Sequence, residues 1–491
     1  MREKNRPKGV SGSLTVFMTL LLTLLTGFCL GLIEGGRRNG VALESECTVE
    51  AAWNGVFAEY HRGLAERYNL FALDASYGTS YGAVANIERH LTGYLDRNLQ
   101  FHGGFWNNLF YKDFLGLRLR DVEICSGLLL SDYEGRVFRL AAVEAQKDQL
   151  NLVLLEKVLY WLEQVQLNGL DERDVEAEKA QADKQFQQAL DALSESGEVV
   201  SFQNPTIFME EIRKKGMLSW VMGEEVALSP KALRREELFS ARLEQGAVQR
   251  GNRTITECSG WEQMMERFLF QEYLLTYMGD FSQRVENTAL DYEIEYLLVG
   301  GARDVENLHS VFARISAIRE AANALYLLTD EKRSGQTELI ATALMTLIGQ
   351  PQLAEPLQLV LTLGWALGET LYDMEQLATG RPVPLLKSEG TWHYSLENLL
   401  EGLLGKDEEQ QQQWKQEGMY YRDYLRVLLF LADLDVLTLR SMDLIEADMR
   451  LVPGNSDFCL DHCYVELEAD IKLESAYGYR YELRRLGAYR E

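Results

Sequence analysis

The chain carries six histidines, six cysteines and 75 acidic side chains from which chemistry could be built. Glu293 and Glu295 are the most suggestive pair, two apart in the segment DYEIEYLLV (291–299). On a strand that spacing puts both carboxyls on one face, within the roughly 5 Å that a retaining glycosidase needs. The same alternation is also that of an ordinary solvent-facing edge, and a helix here would present both glutamates outward. Glu306-x-x-His309 is one half of a di-iron carboxylate motif, and no second Glu-x-x-His accompanies it. Asp433 and Asp435 flank Leu434 in an apolar stretch. Residues two apart on a helix point about 200° apart, so these two cannot grip one metal. Cys459 and Cys463 stand four apart with His462 between them. A structural zinc site would need a second pair of ligands, which the sequence lacks. The remaining histidines (His61, His90, His102, His309, His393) are scattered, none beside a nucleophile. No phosphate-binding glycine loop, nucleophile elbow or H-E-x-x-H motif is present. The expectation is therefore no catalytic residue, no metal and no cofactor.

The elements that would position these residues begin with a membrane signal. Leu14 to Ile33 form a run of twenty residues without a charge, long enough as a helix to cross about 30 Å of hydrocarbon. Ahead of it Arg2, Lys4, Arg6 and Lys8 outnumber Glu3, a tail charge of +3. By the positive-inside rule the N-terminus stays in the cytoplasm and everything after Ile33 is exported. The run is longer than a secretory signal core and ends without a small-residue cleavage site, which favours an uncleaved anchor. Leu339 to Ile348 and Leu425 to Leu431 are apolar but short, and read as buried helices. The 491-residue chain has a formal charge of −26, leaving −29 outside the tail. That balance excludes a phosphate-tracking nucleic-acid binder and suits a solvated ectodomain. Five cysteines outside the membrane are too few and too spread to make a disulfide framework.

Eight prolines in this length indicate a mostly helical chain. Val49, Trp53, Val56, Phe57, Tyr60 and Leu64 recur at helical spacing, so the membrane helix is expected to continue as an amphipathic one, hinged at Gly35-Gly36. Leu117, Leu119, Val122 and Ile124 predict a strand with a slip at Arg120-Asp121. Val465, Leu467, Ala469, Ile471 and Leu473 alternate with charged residues as a half-buried strand, returning through a turn at Ala476-Tyr477-Gly478. The organisation expected is a cytoplasmic tail (1–12), a transmembrane anchor (13–34), an amphipathic extension (35–75) and a mixed region (76–260) with a strand near 117–125 and a helical hairpin over 137–196. A helical region (261–450) and C-terminal strands (451–491) complete it. The fold class is α+β, predominantly helical: an N-terminal transmembrane helix and a small membrane-proximal antiparallel sheet with a large helical region inserted between its strands.

Several segments together carry a resemblance: GSLTVF (12–17), IEGGR (33–37), YNLFALD (68–74), EYLLTY (272–277), LDYEIEYLLVG (290–300), IREAAN (318–323), WALGE (365–369), YRDYL (421–425) and MDLIE (442–446). They resemble an uncharacterised family of single-span membrane proteins of Gram-positive bacteria that accompany tight-adherence (Tad/Flp) pilus components. The N-terminus is similar to those of the TadE/TadG pseudopilins. The resemblance implies location and company: an exported domain, tethered by one helix to the cell membrane, whose partners are the lipid bilayer and pilus or secretion-system membrane proteins. It implies no catalytic residue. Prepilin-like sequences have a glycine before the cleaved bond and a glutamate five residues after it. Gly12 and Ser13 match the bond, while Phe17 occupies the glutamate position. Gly27 and Gly31 form a G-x-x-x-G that permits close helix–helix contact. The expected function is a membrane-anchored structural or assembly component of a surface pilus. The alternatives are an anchored enzyme acting on wall glycan and a surface binding module.

Overall fold

The computed structural model describes residues 11–99, 116–149, 151–171, 217–222, 228–253, 260–347, 349–396 and 418–489, with residues 177, 180, 181 and 184. The chain divides into two compact units. The first comprises Met1–Asp132, Gln249–Ile255 and Asp457–Glu491, and the second Tyr133–Val248 and Thr256–Ser456. The molecule is mostly helical with a small antiparallel sheet and one long apolar N-terminal helix, the fold class expected from its sequence.

The first unit is built on β3 (Cys463–Ser475), whose apolar residues alternate with charged ones. Period-2 patterning sends Leu467, Ala469, Ile471 and Leu473 to one face, and all four are buried. Along one edge runs β2 (Leu117–Leu129), antiparallel, with Leu117 opposite Ser475. The ladder slips between Leu119 and Asp121, where the sequence places a fault, and again between Ile124 and Ser126. Each slip is a bulge that re-aims the strand. On the other edge β4 (Arg480–Ala488) pairs along Glu466–Glu474, and the two-residue β1 (Leu73–Asp74) pairs with Tyr464 and Cys463. The buried face is covered by α1 (Ser11–Phe57), through Val41, Val49, Ala52, Trp53 and Val56, and by α3 (Val84–Leu99), through Ile87, Leu91 and Leu95.

Three expectations for this unit are corrected. The N-terminal helix passes Gly35-Gly36 without a hinge, one 47-residue helix to Phe57. Two glycines cost a helix only about 1 kcal/mol each. The Glu34–Arg37 ion pair (3.0 Å) brackets them and the docked half beyond them sets the direction. The extension stops at Phe57 instead of running to residue 75. The chain turns at Ala58-Glu59, forms the short α2 (Arg62–Tyr68) and leaves it through Asn69 in the left-handed region (φ 51°). The strand near 117–125 continues to Leu129.

The second unit is helical. The first arm of the expected hairpin is two helices, α4 (Arg136–Gln146) and α5 (Leu152–Leu167), because Asn151 caps the second by accepting from the Leu154 N–H (3.2 Å). The polar arm over 171–193, the loop at 201–204, the run 406–416 and Cys258 lie outside the described residues, apart from a few single positions. Short helices α6 (Met217–Met222) and α7 (Phe239–Glu244) lead to α8 (Gly260–Tyr277), α9 (Glu293–Val299), α10 (Asp304–Thr329) and α11 (Glu331–Leu347). Next come α12 (Ala354–Ala378), α13 (Tyr421–Leu431) and α14 (Leu434–Leu451). The long α10 and α12 pack together at the centre, and α11 lies against α12 through Ala341, Met345, Leu357 and Leu361. Leu339 and Leu347 face solvent, so the apolar run in α11 is amphipathic and not fully buried. The helical stretch over residues 421–451 is two helices, since Asp433 leaves the helical region and caps α14 through the Asp435 and Val436 N–H groups.

Candidate functional site

Among the described residues, the paired candidates for chemistry each have a definite place. Glu293 and Glu295 lie on α9, not on a strand, and both are buried. The reason is local: Glu293 accepts from the Gly279 N–H (2.7 Å), and Glu295 accepts from the Phe281 N–H (3.0 Å) and the Tyr421 hydroxyl (2.7 Å). The two glutamates thus fasten the preceding loop to the helix, and neither faces solvent. Burial, with the charge of Asp280 second, pushes the Glu295 carboxyl up to about 8, so it is protonated at neutral pH. Asp280 is buried as well and pairs with Arg422 (3.3 Å). Glu306 and His309 occupy an outer stretch of α10, where Glu306 faces Arg303 at 3.7 Å. Asp433 is a helix cap, whereas Asp435 binds Arg139 (2.9 Å), so the two carboxylates serve different elements. His462 packs against Gly82, where a Cβ would collide with its ring, and the buried Cys463 thiol lies 3.6 Å from the Cys459 carbonyl.

A denser polar cluster was not anticipated from motifs. Arg319 of α10 is fully buried. It donates to Asp373 (2.6 Å) and to the Pro384 and Leu385 carbonyls (both 2.7 Å). Lys387 bridges Glu369 (2.5 Å) and Asp373 (2.6 Å), all three without solvent exposure. Asn323 donates to Thr370 (3.0 Å) and Asp373 (3.1 Å). Burial acts to raise the Glu369 carboxyl, but hydrogen bonding from His393 and the charge of Lys387 hold it down at about 2. Two cations thus meet two carboxylates, and the chain after α12 is pinned onto α10 and α12. The signal was available: a charge inside IREAAN, and Glu369 and Asp373 one turn apart on a helix otherwise apolar there.

A cleft of about 830 Å³ in the helical unit is lined by Tyr133, Arg136, Arg139, Glu266, Arg267 and Phe430 among others. It opens on three successive left-handed residues, Tyr133 (φ 56°), Glu134 (φ 57°) and Gly135 (φ 84°), and only glycine fits the last, since a Cβ would stand 2.5 Å from the Met442 sulfur. Two of its arginines are held by neighbouring groups. Arg139 binds Glu266 (2.7 Å), Asp435 (2.9 Å) and Thr438 (3.2 Å). Arg267 binds the Phe430 and Ala432 carbonyls at the end of α13 (2.7 and 2.9 Å). The cleft is a joint between α4, α8, α13 and α14. In the first unit Glu59 gathers His90 (3.0 Å), Tyr94 (2.8 Å) and Tyr77 (3.1 Å), a half-exposed lock on the end of α1.

The arrangement with the plainest functional meaning is α1 itself. Its apolar part is the one described helix long and apolar enough to cross a membrane, with none of the spanning window buried. Gly27 and Gly31 lie open within it, with nothing near an added Cβ. Gly12 and Ser13 are on the first turn. Beyond the apolar part the same helix enters the core, and β4 runs alongside it. Arg37 stands over the Tyr477 ring (4.1 Å) and Arg38 over the Tyr479 ring (5.2 Å). Arg485 pairs with Glu46, and the Tyr489 hydroxyl donates to the Phe57 carbonyl (2.7 Å). Cys29, Cys47 and Cys125 are unpaired thiols.

A family model described as a family of unknown function (DUF5702) matches residues 195–475, more than half of the chain. No curated protein and no solved structure matches it.

Proposed function

The chain belongs to that family of unknown function, and from this premise we propose that it is a membrane-anchored extracytoplasmic structural or assembly component of a Tad/Flp-type surface pilus or secretion system, similar in role to a pseudopilin. The observation that carries the reading is α1: one rigid rod, bare and apolar over its first half and buried in a sheet core over its second. Such a rod couples whatever surrounds the apolar half to the folded part without a joint. It suits a subunit held in the bilayer, with its N-terminus in the cytoplasm, whose helix can pass to neighbouring helices of a filament. Gly27 and Gly31 would allow a close approach there. The resemblance of the N-terminus to TadE/TadG pseudopilins supports the same assignment, with Gly12 matching the position before the cleaved bond and Phe17 departing from the glutamate of prepilin-like sequences. Its partners are then the bilayer and the membrane proteins of the assembly machine.

The test is the intact mass and N-terminal sequence of the native protein, taken separately from membranes and from sheared surface filaments. A start at Ser13 with enrichment in filaments is the expected result for a processed subunit. A start before Gly12, with the protein confined to membranes and absent from any complex with pilus components, would overturn the proposal.

A further inference from the structure

We infer that the β3–β4 hairpin is a membrane-surface foot: Tyr477, Tyr479 and Arg480, with Arg37 and Arg38 of α1, contact the phospholipid headgroups of the leaflet from which α1 emerges. The inference rests on the reading of α1 as a membrane span and adds a second contact that fixes how the sheet stands on the bilayer.

Position along the rod supports it. The uncharged run ends at Ile33, and Arg37 and Arg38 follow four and five residues later, about 6–8 Å further along the helix axis. The headgroup layer on each side of the hydrocarbon is about 5–8 Å deep. The hairpin is held at that level, because Tyr477 and Tyr479 lie under Arg37 and Arg38 and the Tyr481 hydroxyl donates to the Arg38 carbonyl (3.2 Å). From there β4 climbs in step with the helix. Arg38 to Phe57 rises about 28 Å, and Tyr481 to Tyr489 about 27 Å. Those are the residues paired at the two ends. The hairpin is therefore the lowest part of the strand pair, and the end near Phe57 is the highest.

Chemistry supports it too. Tyrosine and arginine are the side chains that settle at the headgroup level, with an apolar body and a polar tip. Tyr477 is 44% exposed although it is a large aromatic ring on a hairpin tip. Arg38, Arg118 and Arg480 are exposed beside it, in a chain whose formal charge is −26. Counting Arg37, these four arginines stand against Glu34, which pairs with Arg37 (3.0 Å), and Glu474, which pairs with Arg480 (3.3 Å), so the end keeps a positive balance where lipid phosphates would be. The bland alternative is a tyrosine that only stacks on Arg37 in water, and it predicts no lipid contact.

The test uses the full chain in vesicles of phosphatidylcholine with phosphatidylglycerol, carrying the photo-crosslinker p-benzoylphenylalanine at one position at a time. Tyr477 and Arg480 probe the foot and Leu24 probes the span. Phe71 is the control, an exposed ring packed on Tyr60 (5.2 Å) just past the far end of α1. Lipid adducts are read by intact mass. The expected result is a lipid adduct at Leu24 and at both foot positions, at least about tenfold above Phe71, since ~30 Å of helix separates the two ends. An adduct at Leu24 with none at Tyr477 and Arg480 overturns the foot and leaves the anchor standing. Adducts from the foot to a second protein chain in place of lipid also overturn it. Absence of lipid at Leu24 removes the anchor reading, and the foot with it.

Discussion

The two units handle charge in opposite ways. In the sheet unit the ion pairs ride on the surface: Arg484 meets Glu468 at 2.6 Å and Lys472 meets Asp121 at 3.0 Å, on the outward positions of β3 and its neighbours. Beneath them the core is apolar. In the helical unit Arg319, Glu369, Asp373, Glu295 and Asp280 are fully buried, and Glu293 and Lys387 are nearly so. The cause is geometric. A two-residue period separates charge from core at every step, so a strand never has to bury a charge. A central helix such as α12 is surrounded on all sides and has little solvent face on which to place one. Buried charges then need partners, and satisfying them specifies which loop sits on which helix.

This contrast can be broken in several places. Replacing Lys387 by methionine leaves Glu369 and Asp373 buried with one cation between them. The expected loss is about 3–5 kcal/mol, measured by hydrogen exchange in peptides from α12. A loss below about 1 kcal/mol would mean that the cluster is hydrated and the contrast overstated. In the sheet unit the equivalent injury is to the apolar face: Ile471→Ala should cost about 2–5 kcal/mol by opening a cavity. It should leave exchange in α12 unchanged, and slowed or quickened exchange there would show that the units are not energetically separate.

Glu295 supplies a pH dependence whose sign follows from its position. Its carboxyl is raised from 4.5 to about 8 by burial and by Asp280. Between those values the folded protein keeps a proton that the unfolded chain has shed, so stability falls as pH rises from 4.5 to about 8 and is flat above. Asp443, raised by burial to about 6, adds the same sign over a shorter window. Glu295→Gln should remove most of the slope in exchange rates of peptides covering α9. An unchanged slope would place the titration elsewhere. The smallest effect belongs to the sheet surface: Arg484→Ala should leave the melting temperature unchanged at physiological salt, because exposed pairs are screened and contribute little. A clear drop would show that the surface pairs do carry part of the sheet.

Much of the sheet unit was legible because its signals are local. The alternation in β3, the slip at Arg120 and the turn at Ala476-Tyr477-Gly478 each follow from steric rules over a few residues. The helical unit was less legible at its joints. Glu293 and Glu295 alternate like a strand, yet the segment is a helix, in which both carboxylates accept from N–H groups of the loop at 279–281. Asp433 looked like an interior helical residue, and its side chain capped the next helix instead. Nothing near Arg319 in the chain announces Asp373 or the Pro384 carbonyl, which come from 54 and 65 residues away.

By itself the sequence determined the membrane-length apolar run, the acidic balance of the rest, the predominance of helix and the strands of the sheet. These depend on composition and on periods of two and three to four residues, which act without regard to distant partners. Only the tertiary structure decided that β2 and β3 pair across some 340 residues, that α1 runs unbroken into the sheet core, that Tyr477 lies under Arg37 and that four charges close on one another inside the helical unit. Each of these depends on which surfaces meet once apolar area is buried, and that choice belongs to the whole chain.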